Sequence, residues 1–246
     1  MPKFFVSSNQ VEGNTVNIYG TDVDHIKKVL RKNINDEIIV CNKDIEQDYL
    51  CRILKIEDNI ECEIVNEINE NTESNVLVTI YQGLPKFDKM ELVIQKSVEL
   101  GVYNIIPLEL NRCVVKLKEK DRDKKIQRWQ KISEVAAKQC GRNYIPNIGN
   151  IQNLNQICKD FNNYDLVLVA YENEKENTLK EQLDILKNKK DLKIAVIIGP
   201  EGGIDEREIE EVRNNGAKVI TLGKRILRTE TVALNVLSII MYELEN

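Results

Sequence analysis

The sequence predicts an α/β protein in two parts, a small β-barrel followed by a larger domain built on a parallel sheet. Two observations support this prediction. Residues 1–70 are rich in β-branched residues, whereas beyond residue 75 apolar strand-like runs alternate with helix-like segments. The polar stretch between them, residues 66–75, is typical of a linker. We therefore expect two domains, over residues 1–70 and 71–246.

The N-terminal part contains three strand-like runs with partial alternation of apolar and polar residues, namely DEIIVCN, DYLCRILKIED and IECEIVNEI. Asp58 and Asn59 lie between the second and third runs, where a hairpin could turn. The segment TDVDHIKKVLR differs, because Ile26, Val29 and Leu30 are spaced as on one face of a helix. A small barrel with one helix is the simplest interpretation.

In the second part, predicted strands and helices alternate along the chain. Strands are predicted for NVLVTIYQGL, NIIPLEL, DLVLVAYE, KIAVIIG and AKVITLG. Helices are predicted for residues 88–101, 123–140, 174–188, 205–215 and 231–245. Strands this apolar indicate a parallel sheet that is covered on both faces. The last helix is apolar on nearly all sides, which favours a dimer interface over deep burial alone.

Composition and cysteine spacing argue against several classes of protein. No apolar run approaches the roughly 18 to 20 residues that span a bilayer, and the N-terminus lacks the apolar stretch of a secretory signal. We therefore expect a cytoplasmic protein without a membrane partner. None of the six cysteines forms a C-x-x-C pair, and His25 is the only histidine. Ordinary reduced thiols and no metal site are expected.

Charge is distributed unevenly along this acidic chain. The net charge is −5, and residues 1–70 hold 8 basic and 14 acidic side chains, whereas residues 111–145 hold 11 basic and 4 acidic ones. A local basic segment on an acidic protein is typical of a surface that contacts a phosphate backbone. A solvated, lysine-rich helix surface explains the charge alone equally well.

The ends of the last three predicted strands carry the residues that a ligand site would need. They read AYEN (170–173), GPEGG (199–203) and LGKRILRTET (222–231), and ligands of open α/β sheets bind beyond the carboxyl ends of strands. GPEGG matches neither a P-loop nor a dinucleotide fingerprint, and the acidic residues after it would repel a pyrophosphate. The loop therefore favours a neutral or cationic ligand, although a plain turn with glycines for geometry is an alternative.

These segments resemble those of a known family. IIGPEGGIDEREI followed by LGKRILRTETVAL is similar to the cofactor-binding signature of the SPOUT class of RNA methyltransferases. More closely, it resembles that of the RsmE-type 16S ribosomal RNA uridine N3-methyltransferases. HIKKVLR, QGLPKFDKMELVIQKSVELGV, NRCVVK and RWQKISEVAAKQCGR resemble further motifs of that family, in the same order.

The resemblance implies an N-terminal PUA-like β-barrel that helps to hold RNA. It also implies a C-terminal SPOUT-type parallel sheet whose last segments form a deep trefoil knot. The family's cofactor is S-adenosylmethionine, bound in the knot, and its members are homodimers with the active site at the subunit interface. The expected partner is 16S ribosomal RNA within the 30S subunit. A sulfonium cofactor without phosphate also suits the acidic flank of GPEGG.

Candidate residues for three roles follow from the resemblance and from the chemistry. The expected cofactor-binding residues are Glu172, Ile198, Gly199, Gly202, Gly203, Leu222, Gly223, Ile226, Leu227, Thr231 and Ala233. The expected RNA-binding residues are Arg112, Lys116, Gln139, Arg142, Lys86 and Lys89. Methylation at uridine N3 requires loss of a proton, so Glu201 and Glu230 are candidate acceptors and Arg228 is the candidate for charge stabilisation. An Arg228–Glu230 ion pair that only shapes the loop is an alternative.

Other functions remain open at this point. Ribose 2′-O methylation by another knotted enzyme would keep the fold and change the target. An RNA-binding ribosome assembly factor without chemistry is a second alternative, which an intact pocket motif disfavours. A nucleotide-dependent oxidoreductase is disfavoured by the missing phosphate loop. His25 is disfavoured as a catalytic base because it belongs to the predicted barrel.

Overall fold

The structure, a computed structural model, describes residues 1–70, 72–187 and 189–245. The chain divides into two compact units. The N-terminal unit comprises Met1–Glu73 and Ala137–Ile145, and the C-terminal unit comprises Ser74–Ala136 and Pro146–Asn246. Asn71, the first residue of the predicted second domain, and Asn188, the last residue of a predicted helix, lie outside the described residues. The boundary between residues 70 and 71 stays a prediction.

The N-terminal unit is a six-stranded half-barrel with the strand order β1-β4-β5-β6-β3-β2. Its strands are β1 (Lys3–Val6), β2 (Val11–Glu12), β3 (Thr15–Ile18), β4 (Glu37–Asn42), β5 (Gln47–Ile56) and β6 (Ile60–Ile68). β1 pairs with β4 in parallel, and the other neighbours are antiparallel. The predicted hairpin is confirmed, because β5 and β6 pair on either side of Asp58 and Asn59. Helix α1 (Thr21–Asp24) continues as a π-helical turn over His25–Val29, where a helix was predicted.

Apolar side chains of these strands fill one core. Phe4, Val16 and Ile38 are among its members, each exposed by 1% or less. Cys51 and Cys62 belong to the same core, and burial raises the pKa of each thiol to about 12. Of the six free cysteines, Cys140 is the exposed one. The thiols of the core are therefore held in the protonated, unreactive form.

The N-terminal unit also contains a buried charged cluster, formed by Lys3, Asp48, Glu73 and Arg142. The ammonium of Lys3 lies 2.5 Å from the Asp48 carboxylate, and each side chain is about 5% exposed. Lys3 also donates to Oδ1 of Asn143 at 2.9 Å. The guanidinium of Arg142 donates from Nε to Oε2 of Glu73 at 3.1 Å. Each buried charge in this cluster thus has an opposite charge beside it, which burial requires.

The C-terminal unit is built on a seven-stranded sheet in which every pairing of the described strands is parallel. The strands are β7 (Val76–Gly83), β8 (Asn104–Glu109), β9 (Asn147–Ile148), β10 (Gln152–Asn153), β11 (Leu166–Ala170), β12 (Leu192–Ile198) and β13 (Lys218–Ile220). Their order is β10-β8-β7-β12-β11-β13, with β9 also on β8. The predicted parallel sheet is confirmed, and its central strands β7 and β12 are almost wholly buried.

Six α-helices accompany this sheet in the described residues. They are α2 (Lys89–Glu99), α3 (Glu119–Cys140), α4 (Leu154–Cys158), α5 (Leu179–Asp184), α6 (Glu206–Asn214) and α7 (Thr229–Leu244). Helix α5 is shorter than the predicted 174–188, because the Thr178 side chain caps it by accepting from the Glu181 backbone N–H. Helix α7 packs against β7 and β12. The trefoil knot stays a prediction. In the described part of the chain, no helix is long and apolar enough to cross a membrane.

Candidate active site

Three adjacent strands of the C-terminal unit end at the same level. β11 lies between β12 and β13, and its last residue, Ala170, is in register with Ile198 of β12 and Ile220 of β13. Three segments therefore leave the sheet side by side: residues 171–173, residues 199–204 (the first pocket loop) and residues 221–228 (the second pocket loop). The strand ends that the sequence analysis singled out are neighbours, as expected for a ligand site at one edge of a parallel sheet.

The first pocket loop has a shape that requires glycine. Gly203 has a φ of +72° and donates its N–H to the Pro200 carbonyl at 2.9 Å, which closes a tight turn. A Cβ on Gly203 would collide with the Glu172 carboxylate. A Cβ on Gly199 would lie 2.8 Å from the Ile204 side chain. Gly199 is needed for close approach, and Gly203 for its left-handed backbone.

The acidic residues after this loop serve helix α6. Asp205 is the N-cap, and its Oδ1 accepts the Arg207 N–H at 3.1 Å. Glu208 is buried and accepts the backbone N–H groups of Asp205 at 3.1 Å and Asn111 at 2.8 Å. This is a capping box, and it fixes the start of α6 against the loop. Asp205 and Glu208 are two of the acidic residues that were expected to repel a pyrophosphate. Both carboxylates thus have structural partners.

Glu201 ties the first pocket loop to the start of α2. Its carboxylate accepts the Lys86 backbone N–H at 3.0 Å and lies 3.0 Å from the Lys89 ammonium. Burial alone raises the pKa of the Glu201 carboxyl. Hydrogen bonds from backbone N–H groups and from Lys89 outweigh burial, so the pKa falls below its usual value. A carboxylate with a lowered pKa is a weak proton acceptor, which argues against Glu201 as the base.

Lys89 connects the first pocket loop to the start of α7. Besides Glu201, its ammonium faces Oε2 of Glu230, in the first turn of α7, at 3.4 Å. Hydrogen bonding to Glu201 is the main reason that the Lys89 pKa is raised, with a further contribution from Glu230. The ammonium therefore stays charged between two carboxylates. Its predicted RNA contact stays a prediction, and these contacts give it a second role in holding the site together.

The second pocket loop leaves its charged side chains exposed. Arg228 is the N-cap residue of α7, and its side chain is exposed. In the described residues, its guanidinium forms no ion pair with Glu230, which faces Lys89 instead. The alternative of a loop-shaping Arg228–Glu230 pair is therefore wrong for this structure. Oε2 of Glu230 is buried and accepts no hydrogen bond from the described residues, although Lys89 is at ion-pair distance.

Two buried side chains, Thr229 and Gln82, connect the first pocket loop to α7 and β7. Neither of them was predicted from the sequence. The Thr229 hydroxyl donates to the Gly199 carbonyl at 2.6 Å and accepts from Nε2 of Gln82 at 2.9 Å. Gln82 lies near the end of β7, beside β12, so these hydrogen bonds join a central strand to the first pocket loop and to the start of α7. Thr229 could have been found from the sequence, because it lies within the RTET segment of the second family-like motif. A long polar side chain within the mostly apolar run NVLVTIYQGL was the corresponding signal for Gln82.

The loops enclose a cavity of about 440 Å³, a volume typical of small-ligand pockets. The predicted residues that line it are Glu172, Ile198, Gly199, Glu201, Gly203, Leu222, Gly223, Ile226, Leu227, Arg228 and Lys89. Among the described residues, the lining does not include Gly202, Glu230, Thr231 or Ala233. Their roles stay predictions. Lys224 and Arg225 also line the cavity, so it is less acidic than the first pocket loop alone suggested.

Two family models match this chain. One, described as an RNA methyltransferase domain, matches residues 72–241, and the other, an RNA methyltransferase PUA domain, matches residues 18–65. Ribosomal RNA small subunit methyltransferase E of Bacillus subtilis is 37% identical over 251 residues, which cover 100% of this chain and 98% of that protein. The chain belongs to the ribosomal RNA small subunit methyltransferase E family.

Solved structures similar to this chain agree with the family. One is a ribosomal RNA small subunit methyltransferase E from Neisseria gonorrhoeae bound to S-adenosylmethionine, with a TM-score of 0.88 and 31% identity over 99% of this chain and 98% of that one. Another is a methyltransferase from Legionella pneumophila in complex with the same cofactor, with a TM-score of 0.86 and 29% identity over 98% and 96% of the two chains. The fold predicted from the family resemblance, a parallel-sheet methyltransferase domain with a PUA-type unit, is confirmed.

The remaining RNA-binding candidates, apart from Lys89, differ in their surroundings. Arg112 donates from Nη1 to the Gly202 carbonyl at 3.3 Å, beside the first pocket loop, and its side chain is 43% exposed. Lys86 is half-buried, with its backbone N–H on Glu201. Lys116 and Gln139 are exposed. Arg112 and Lys86 both contact the first pocket loop, Arg112 through its guanidinium and Lys86 through its backbone N–H. The RNA contacts of these four residues stay predictions.

Arg142 has the surroundings of a structural residue. Its side chain is 8% exposed, pairs with Glu73 and lies 5.9 Å from the centre of the Tyr144 ring. Within the N-terminal unit, the guanidinium of Arg142 is too enclosed to offer much surface to RNA. Its charge is already compensated by Glu73. The predicted RNA contact of Arg142 stays a prediction, and the geometry favours a role in stabilising the N-terminal unit.

Proposed function

We propose that this protein transfers a methyl group from S-adenosylmethionine to N3 of a uridine in 16S ribosomal RNA. One observation carries the proposal: the three strand ends of the C-terminal unit enclose a glycine-lined cavity, in a chain 31% identical over nearly its whole length to a structure bound to S-adenosylmethionine. The family name specifies small-subunit ribosomal RNA, and the uridine N3 target follows from the RsmE-type resemblance of the motifs.

The residues of the cavity suit this cofactor. Apolar walls from Ile198, Leu222 and Leu227 fit a planar adenine, and the glycine-rich backbone of the first pocket loop offers N–H and C=O groups for its edge. The Glu172 carboxylate, which also lines the cavity, suits the cationic part of the ligand. When bound, S-adenosylmethionine supplies an electrophilic methyl group on a sulfonium.

The chemistry at uridine N3 needs a proton acceptor and a stabiliser of negative charge. Neutral uridine carries a proton on N3, and the nitrogen is a poor nucleophile until that proton leaves. We assign proton removal to Glu230, whose buried Oε2 accepts no hydrogen bond from the described residues. The Glu201 carboxylate already accepts the Lys86 backbone N–H, and its pKa is lowered. Arg228, exposed on the second pocket loop and lining the cavity, stabilises the developing anion.

The wider assignments belong to the same proposal. Residues 1–70 act as an RNA-holding domain and residues 71–246 as the methyltransferase domain, in line with the two matched family models. The protein acts in the cytoplasm as a homodimer on RNA of the 30S subunit. The half-exposed side of α7, with Tyr242 77% exposed, supports the dimer because apolar surface on such a helix favours burial against a second copy. A monomeric mass by light scattering at micromolar concentration would remove that part.

Two experiments test the function. In a calorimetric titration, S-adenosylmethionine should bind, whereas NAD and ATP should not; binding of NAD instead would favour an oxidoreductase. Nucleoside analysis of ribosomal RNA from a deletion strain should show loss of 3-methyluridine. Loss of a ribose 2′-O-methyl nucleoside instead would transfer the assignment to the related knotted enzymes. If the nucleosides are unchanged and the cofactor does not bind, the remaining interpretation is a non-catalytic assembly factor.

A further inference from the structure

Phe87 has an exposed ring on a backbone that disfavours its side chain. It is 90% exposed, the most exposed of the large apolar residues that the structure describes. Its φ is +57°, in the left-handed region that favours glycine or asparagine. Four other described non-glycine residues have a positive φ, and all of them are polar or charged. An aromatic residue there costs conformational energy and gains no packing in return, which points to a function.

The segment that carries Phe87 lies beside the cavity. Lys86, on one side of Phe87 in the chain, donates its backbone N–H to Glu201 at 3.0 Å. Lys89, two residues after Phe87, contacts the same carboxylate at 3.0 Å. Glu201 and Lys89 both line the cavity. The short segment that carries Phe87 is therefore fastened to the first pocket loop on both sides, while the ring projects into solvent.

Cations and carboxylates both lie around the segment that carries Phe87. Asp88 follows the ring directly, Lys89 pairs with Glu201 and Glu230, and Arg112 pairs with Asp205. Lys86 and Lys89 flank the ring in the chain, and Arg112 approaches the first pocket loop through its bond to the Gly202 carbonyl. Arg225 and Arg228 are exposed on the second pocket loop. A single aromatic ring among cations is the pattern of a single-stranded nucleic acid site, in which the ring stacks on a base and the cations meet phosphates. A surface for a second protein chain would be expected to carry a broader apolar patch.

We propose that Phe87 stacks on a nucleobase of the RNA substrate at the rim of the active site and so helps to hold the target uridine over the cavity. The inference rests on the proposed function for the identity of the RNA. Phe87 is a positioning residue in this role, since it binds the substrate beside the reacting base and takes no part in proton transfer.

The test compares Phe87→Gly with Phe87→Trp in the full-length protein. Glycine suits the positive φ, so Phe87→Gly removes the ring without a loss of thermal stability. Tryptophan keeps an aromatic surface. The substrate is 30S subunits isolated from a strain that lacks this protein. Ile185→Ala, which truncates an apolar side chain of the C-terminal unit that is 68% exposed, is the matched control.

We expect Phe87→Gly to raise the KM for 30S subunits roughly 5- to 150-fold, the range typical of one lost base stack. The KM for S-adenosylmethionine should stay at the wild-type value. Phe87→Trp and Ile185→Ala should differ from wild type by less than about threefold in both constants. An unchanged KM for 30S subunits in Phe87→Gly, or an equal loss in Phe87→Gly and Phe87→Trp, would overturn the proposal.

Two further outcomes separate this inference from others. If Phe87→Gly lowers the mass measured by light scattering, the ring belongs to an interface between copies of the chain, and the RNA proposal is wrong. If the wild-type protein transfers no methyl group, the proposed function fails. Filter binding of wild type and Phe87→Gly to 16S ribosomal RNA then tests the stacking by itself, and equal affinities would refute it.

Discussion

Two arginines, one in each unit, differ in a way that their sequence context does not reveal. Arg142 of the N-terminal unit is 8% exposed and paired with Glu73 in the buried charged cluster. Arg228 of the C-terminal unit is exposed at the cavity, and Glu230, the nearest carboxylate in the sequence, faces Lys89 instead. Both lie in motifs that resemble those of the family. The difference teaches that burial and partner decide whether a charge stabilises the fold or remains available for chemistry.

The largest expected effect is on the buried side of this comparison. Arg142→Ala leaves the Glu73 carboxylate buried without its guanidinium partner, so it should lower the free energy of unfolding by about 3 to 5 kcal/mol. Urea unfolding followed by circular dichroism measures it. The control is Arg52→Ala, which breaks a half-exposed pair with Glu37 at 3.4 Å and should cost less than about 1 kcal/mol. Equal stabilities for the two variants would contradict a structural role for Arg142.

The proposed base gives the next largest effect. Glu230→Gln keeps the shape of the side chain and removes the proton acceptor, so kcat should fall by about 100-fold or more. Glu201→Gln should reduce kcat less than about tenfold, because Glu201 ties the first pocket loop to α2 and has a lowered pKa. Single-turnover methyl transfer separates chemistry from binding. A larger loss in Glu201→Gln than in Glu230→Gln would reverse the two assignments.

On the exposed side of the comparison, Arg228→Ala should reduce kcat by about 100-fold. Its stability should change by less than about 0.5 kcal/mol, since the side chain is exposed and the described residues give it no ion pair. Arg225→Ala, a neighbour that also lines the cavity, serves as the control and should change kcat less than about tenfold. If Arg228→Ala unfolds as readily as Arg142→Ala, the contrast between the two arginines fails.

A smaller effect distinguishes the two pocket loops. Gly203→Ala should destabilise the protein by about 1 to 2 kcal/mol for its positive φ alone, and weaken S-adenosylmethionine binding as well, since the new Cβ meets Glu172. Gly223 has a φ of +103°, and a Cβ added there would meet open space. Gly223→Ala should therefore lower the free energy of unfolding through backbone strain alone. Calorimetric titration of both variants measures the difference, and identical cofactor affinities would count against a fitted first pocket loop.

The smallest effect is a dependence on pH. The Glu201 pKa in the folded protein lies below its ordinary value of 4.5, so the unfolded chain binds this proton more readily. The stabilisation is complete above pH 4.5 and disappears as the pH falls through the folded pKa. Melting temperatures of wild type and Glu201→Gln should therefore converge on acidification from pH 7 to pH 3.5. A gap that widens instead would reverse the sign of the argument.

Much of the fold could be predicted because its signals are local. The apolar strands β7, β11 and β12, the hairpin at Asp58 and Asn59, and α7 each carry their own periodicity or turn residues. The short strands β9 and β10 could not be predicted in this way, since two residues give no period. Helix α5 was predicted too long, because a single capping box at Thr178 overrides the helix-forming residues before it.

The candidate site was predicted as a set of loops but not as a set of contacts. Sequence order shows that GPEGG and LGKRILRTET follow strands, and the parallel sheet then brings them together. The bonds of Lys89 to Glu201 and Glu230, and of Thr229 to Gln82, join residues more than 100 positions apart. Such pairs depend on side-chain directions that only the packed fold fixes.

The distribution of thiols has a practical consequence. Cys41, Cys51, Cys62 and Cys113 are buried, Cys158 is partly buried, and Cys140 at the end of α3 is exposed. A maleimide dye should therefore react first at Cys140 in the native protein, without removal of any other cysteine. Because Cys140 follows directly after Gln139, one of the RNA-binding candidates, a fluorophore attached there would report the arrival of ribosomal RNA by a change in its emission.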